Sequence, residues 1–98
     1  MVRFHTEWRA SWNGHPIVVR NWWNLLLFTG EELLVDGRTV MTQRGWFRTS
    51  TNLMGSVLLD GAPTLIRVEI GQIDLGSRIG CRIFVNEELI GGDVLAKF

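Results

Sequence analysis

Only one cysteine occurs in the 98 residues, at position 81. An intramolecular disulfide is therefore impossible, and a disulfide-stapled scaffold is excluded. Tyrosine is absent, lysine is reduced to Lys97, and proline to Pro16 and Pro63. An excess of charge is missing too, since ten basic and ten acidic residues cancel. A general nucleic-acid or anionic-membrane binder carries a basic excess, so the balance counts against both. It also removes a barrier to self-association. No apolar run is long enough to span a bilayer. No signal-peptide pattern opens the chain, where Met1-Val2-Arg3-Phe4-His5 runs straight into alternating residues. The cytoplasm is the expected compartment.

What is present suffices for one domain. The chain is 46% hydrophobic and 20% charged, and its length can bury an ordinary core. No linker, repeat or low-complexity stretch divides it. Residues 1–98 read as one domain, with 92–98 a tail that docks or frays. The basic residues other than Lys97 are arginines. That bias has two readings: a GC-rich source genome, or an arginine-rich interface built on bidentate contacts and aromatic stacking.

Asn13-Gly14, Asp36-Gly37 and Asp60-Gly61 are the strongest local signals. Such pairs favour type I′ turns, in which both central residues need positive φ. Around the first of them, residues 3–12 alternate strictly. Phe4, Thr6, Trp8, Ala10 and Trp12 fall on one face, and His5, Glu7, Arg9 and Ser11 on the other. A two-residue turn at Asn13-Gly14 then pairs Trp12 with His15, Ala10 with Ile17, Trp8 with Val19 and Glu7 with Arg20. A slip of one residue would reverse every side chain, so pattern and turn support one register. Pro16 lacks an N–H and predicts a free sheet edge, or a strand switch, on its far side.

Residues 21–30 are ambiguous between strand and one helical turn, and strand followed by an apolar loop fits the surroundings better. Further strands are expected at 31–35, 38–43, 46–49, 53–59, 64–72 and 80–86, with Gly45 breaking the pattern. Ile73 to Gly80 reads as a glycine-rich connection. A turn at Asn86-Glu87 or Glu87-Glu88 leads into Leu89-Ile90, and Gly91-Gly92-Asp93 ends order. The expected class is all-β: a compact antiparallel β-sandwich or small barrel of about eight strands built from hairpins.

A tryptophan-bearing first strand leads into Asn13-Gly14-His15. Thr29-Gly30-Glu31-Glu32-Leu33-Leu34-Val35-Asp36-Gly37, the aromatic pair Trp46-Phe47 and the late Ile83-Phe84-Val85-Asn86-Glu87 hairpin follow. This order of landmarks over residues 6–90 resembles the β-sandwich domain of the Fas apoptotic inhibitory molecule family. The chain departs from that pattern at Trp22-Trp23, and at Asn86-Glu87 where Asn-Gly would be expected. The resemblance implies a non-enzymatic sandwich that works through protein contacts, and it carries over no catalytic residue.

No catalytic or metal motif stands out. His5 and His15 are ten residues apart across a strand and turn, too far to converge on a zinc ion that needs three or four ligands. Cys81 alternates with Ile83 and Val85 and reads as a small core residue rather than a nucleophile. Gly71, Gly76 and Gly80 form no phosphate loop. Glu31-Glu32 and Glu87-Glu88 read as solvated turn ends. No enzyme, cofactor or metal is expected.

Two features suggest binding. Five tryptophans, at 8, 12, 22, 23 and 46, exceed what one small core needs. Trp22 and Trp23 must point to opposite faces of a strand. In the register above Trp22 lies outside, across from His5, where it is an interface anchor, a sugar platform, or a ring covered by another element. In Arg44-Gly45-Trp46-Phe47-Arg48, alternation puts Arg44, Trp46 and Arg48 on one side. Arginine beside an aromatic suits an acidic partner or single-stranded nucleic acid. The other reading is a strand with solvated arginines and a core aromatic, and the balanced net charge argues against a nucleic-acid groove.

The expected binding set is Trp22, Arg20, His5, Arg44, Trp46 and Arg48. The leading expectation is a non-catalytic protein-interaction domain, using this patch or a sheet edge to hold a protein partner or a second copy as a homodimer. One alternative is a small-ligand or carbohydrate binder, with Trp22 or Trp46 as platform and Asn21, Asn24, Arg20 or Arg48 as polar contacts. Another is a small inhibitory protein that blocks a larger complex. Neither nucleic acid nor membrane is an expected partner.

Overall fold

The computed structural model describes residues 3–26, 28–46, 50–72 and 79–92. Two-residue turns organise the chain. Asn13-Gly14, Asp36-Gly37 and Asp60-Gly61 each carry positive φ at both positions, between 49° and 79°. Asn86-Glu87 repeats the geometry at 49° and 68°, without a glycine. The Asn86 side chain ties that turn to the neighbouring strand, since its Oδ1 accepts the Leu65 N–H at 3.0 Å.

The turns join eight strands: β1 Arg3–Trp12, β2 His15–Asn24, β3 Phe28–Val35, β4 Arg38–Trp46, β5 Ser50–Leu59, β6 Ala62–Gln72, β7 Ile79–Val85 and β8 Glu88–Gly92. Two four-stranded antiparallel meanders result, β1-β2-β3-β4 (sheet A) and β5-β6-β7-β8 (sheet B). They pack face to face as a β-sandwich, with β1 against β7 and β8 along one side and β4 against β5 along the other. Among the described residues no helix is long and apolar enough to cross a membrane.

The register read from the alternation is the one observed, Trp12 opposite His15 through Glu7 opposite Arg20. Ile17, Val19, Leu33 and Val35 of sheet A meet Leu53, Leu59, Ile66, Val68, Ile70, Cys81, Ile83 and Val85 of sheet B in the core. Each large apolar side chain buried there contributes about 1.5–3 kcal/mol. Trp8, Ala10 and Trp12 pack partly buried against it. At the sheet sides small residues permit close approach: a Cβ on Gly55 would stand 2.7 Å from Val40 Cγ1.

Four expectations need correction. Pro16 marks no free edge, because β2 is an inner strand with β3 beside it. The β2–β3 ladder begins one residue later, at Ile17 opposite Val35. The Pro16 carbonyl accepts the Asp36 N–H at 3.0 Å, so the missing donor falls where the partner strand is already turning. Residues 21–30 are strand to Asn24 and strand again from Phe28, so β3 starts three residues earlier than expected. Gly45 does not break β4, which runs through it to Trp46. Gly91 and Gly92 belong to β8, with Gly91 opposite Ile83. The expected connection at 73–78, the tail at 93–98 and residues 47–49 lie outside the described residues.

Candidate functional site

Strand alternation sends one set of side chains from sheet A away from the core, and register lines them up in rows. One row runs His5, Trp22, Gly30, Arg44 across β1 to β4. The next runs Glu7, Arg20, Glu32, Thr42. Strands lie about 4.8 Å apart, so the first row puts His5 and Arg44 roughly 14 Å from each other. Between them Gly30 leaves a gap, and the Trp22 indole lies in it. Any Cβ at position 30 would run into that ring. Arg3 covers Trp22 from above, its guanidinium carbon 4.5 Å from the ring centroid. The result is a cleft of about 530 Å³ whose lining includes His5, Glu7, Arg20, Trp22, Glu32 and Arg44.

Charge in the cleft is unevenly committed. Arg20 Nε donates to Glu7 Oε1 at 3.0 Å, and its Nη1 to Glu32 Oε1 at 3.4 Å. Arg9 Nη2 takes Glu7 Oε2 at 2.9 Å, and the Thr39 hydroxyl donates to Glu32 Oε2 at 3.0 Å. The hydrogen bonds from Arg20, then Arg9, hold the Glu7 carboxyl below its ordinary range. Each carboxylate oxygen of Glu7 and Glu32 thus accepts a hydrogen bond, and a third carboxylate of the lining, Glu31, is buried on the inner face. Among the described residues, Arg44 and His5 have no hydrogen-bond or ion-pair partner.

Beside the cleft, at the end of sheet A where β2 passes to β3, apolar side chains are exposed. Trp46 is 63% exposed and sits against Phe28, ring centroids 4.1 Å apart. Leu25 and Leu26 are exposed in the neighbouring turn. Asn24 closes that turn by accepting the N–H groups of Leu26 and Phe28 at 2.9 and 3.2 Å. On the opposite face Trp23 stacks on Phe4, centroids 4.3 Å apart, so the adjacent tryptophans do point to opposite sides.

Of the expected binding residues, His5, Arg20, Trp22 and Arg44 line this cleft, and Trp46 lies two residues beyond Arg44 on the same face of β4. Arg48 falls outside the described residues. Two residues named for the carbohydrate alternative present little surface to a ligand. Asn21 faces inward and is 3% exposed, and Asn24 is taken by its turn. Trp22 is half-buried rather than free.

Sequence reasoning missed two groupings. Glu31 is no solvated turn end: it is 5% exposed on the inner face, in a polar row with Thr6, Asn21 and Gln43. The earlier start of β3 fixes its parity, and alternation from Leu33 could have found it. The second is His15. Its Nδ1 lies 2.9 Å from Asp36 Oδ2 and its Nε2 2.9 Å from Asp60 Oδ1. Hydrogen bonds to Asp60, then Asp36, raise its pKa above the ordinary histidine value. Each residue lies in or beside a two-residue turn, so the turn motifs themselves carried the signal.

No protein-family model matches the chain, and comparison with curated proteins and with solved structures likewise found no match.

Proposed function

We propose that this is a non-catalytic interaction domain that takes a protein partner on the outer face of sheet A. One observation carries the reading: His5, Arg20, Trp22 and Arg44 share one cleft, and the exposed Phe28–Trp46 pair lies two residues further along β3 and β4 on the same face. Contiguous apolar surface edged by polar groups is characteristic of protein contact sites, and Trp and Arg dominate their energetics. The order of hairpin landmarks that resembles the Fas apoptotic inhibitory molecule family points the same way.

The test is affinity capture from native lysate with wild type, Trp46→Ala, Trp22→Ala and, as a control at the other end of β4, Arg38→Gln. A stoichiometric partner held by wild type and Arg38→Gln but lost from both tryptophan variants is expected, with circular dichroism unchanged. Sedimentation of the purified chain distinguishes a second copy from a foreign partner. Equal capture by all four proteins would remove the assignment to this face.

The cleft volume of about 530 Å³ also lies within the range of small-ligand sites and favours a second reading, a small-ligand or carbohydrate binder. Unchanged tryptophan fluorescence across a glycan panel would dismiss it.

A further inference from the structure

We propose that the cleft of sheet A recognises an acidic peptide segment in which carboxylates alternate with apolar side chains. The inference rests on the interaction reading above and names the chemistry of the partner.

It follows from what the face has left over. The carboxylate oxygens of Glu7 and Glu32 each accept a hydrogen bond from Arg9, Arg20 or Thr39. The third carboxylate of the cleft lining, Glu31, is 5% exposed on the inner face and is not free. The hydrogen-bond donors are not exhausted in the same way. Arg44 and His5 are unpartnered among the described residues, and Arg3 is stacked on Trp22 without a carboxylate. On the outer face Arg3, Arg9, Arg20 and Arg44 outnumber Glu7 and Glu32, and they still do when the inward-facing Glu31 of the cleft wall is added. A partner that satisfies the face brings negative charge, and a guanidinium pairs with carboxylate in two-pronged geometry.

The rim selects among anions. Leu25, Leu26, Phe28 and Trp46 are exposed beside Arg44, so the partner also brings apolar groups. The Trp22 ring rests on Gly30 and is covered by Arg3, which leaves it no free face for a sugar ring or a base. A polyuronate or single-stranded nucleic acid would depend on stacking of that kind, and Phe28 already packs against the other exposed indole, Trp46. A peptide does not: its acidic residues reach Arg44, Arg3 and His5 while its apolar residues cover the Phe28–Trp46 pair.

The experiment follows backbone amide and indole NMR signals of the ¹⁵N-labelled full chain during titration. The probes are three synthetic peptides of equal length, alternating Leu or Phe with Glu, with Gln or with Lys, together with oligogalacturonate and oligothymidylate. The Glu peptide is expected to shift the signals of β2, β3 and β4 around Trp22, Arg44 and Trp46. Its affinity should fall as salt rises and weaken about three- to tenfold in Arg44→Gln. Arg38→Gln, at the other end of β4, should bind like wild type. Equal binding of the Gln peptide to the same signals would overturn the acidic class while leaving the surface reading intact. Shifts confined to other elements, or no shifts, would overturn both the class and this face as its site. Response to oligogalacturonate or oligothymidylate without response to the Glu peptide would overturn the proposal in favour of a sugar or nucleic acid.

Discussion

The two ends of the sandwich are built on opposite terms. At one end four two-residue turns cluster, and their polar groups find partners within the fold. His15 reaches Asp36 across sheet A and Asp60 on sheet B, and Asn86 bonds both backbone groups of Leu65. At the other end Leu25, Leu26, Phe28 and Trp46 face solvent and Arg44 has no partner among the described residues, while beside the turns Leu58 and Leu89 are exposed singly. A meander makes this division available, because tight hairpins fix register at one end and the remaining connections are free to vary. The His15 contacts tie the two sheets together at the turn end. The proposed binding face is the one where Arg44 and His5 have no partner among the described residues.

Matched substitutions break the comparison most sharply. Leu33 is fully buried under the sandwich core, whereas Leu26 is exposed at the aromatic end. Leu33→Ala should cost about 2–5 kcal/mol in urea unfolding. Leu26→Ala should stay within about 0.5 kcal/mol of wild type and weaken partner binding instead. A stability loss from Leu26→Ala like that from Leu33→Ala would show that the aromatic end is part of the core.

A smaller effect is expected at Gly30, where the cleft depends on the missing side chain. Gly30→Val forces the Trp22 ring out of its seat, and overpacking of this kind costs about 1 kcal/mol on a face that can give way. The clearer readout is the Trp22 indole N–H signal, which should shift and exchange faster with solvent. An unmoved signal would mean that the ring does not lie on Gly30.

Much of the fold could be read from the residues, and for a local reason. Asn13-Gly14 and the alternation of residues 3–12 fix a register by themselves, and that is the register observed. Asp36-Gly37 and Asp60-Gly61 likewise fix their hairpins. Trp22, Arg20 and His5 could be grouped because they sit on two strands joined by a known turn. Arg44 was singled out by its neighbour Trp46, but its position level with Trp22 required the start of β3, which an apolar run from Leu25 to Phe28 conceals. Glu31 was misjudged for the same reason. The contact of His15 with Asp60 joins the two sheets, and no local pattern encodes how sheets stack.

That contact predicts a pH effect confined to the turn end. The folded protein holds the His15 pKa above the ordinary value near 6.5, chiefly through Asp60 and then Asp36. Protonated His15 can donate to both carboxylates at once, and neutral His15 to only one. The clamp therefore contributes fully below about 6.5, the value in the unfolded chain, and fades as pH rises through the higher folded value. The melting temperature of wild type should exceed that of His15→Gln most at mildly acidic pH, and the gap should narrow towards pH values well above neutral. Parallel curves would show that the clamp does not distinguish the two charge states.

The smallest change in stability is expected at Arg20, and it should nonetheless reverse the character of the cleft. Arg20 is exposed, and surface ion pairs contribute little to folding, so Arg20→Gln should melt close to wild type. Yet Arg20 bridges Glu7 and Glu32. Without it both carboxylates lose a donor, and the Glu7 carboxyl, held low first by Arg20 and then by Arg9, should titrate nearer its ordinary range. Carboxyl NMR titration should show that upward move, and the acidic peptide should lose affinity to the exposed negative charge. If Glu7 titrates unchanged, Arg9 alone controls it. Arg20 would then be a spectator, and the excess of cationic capacity would rest on Arg3 and Arg44.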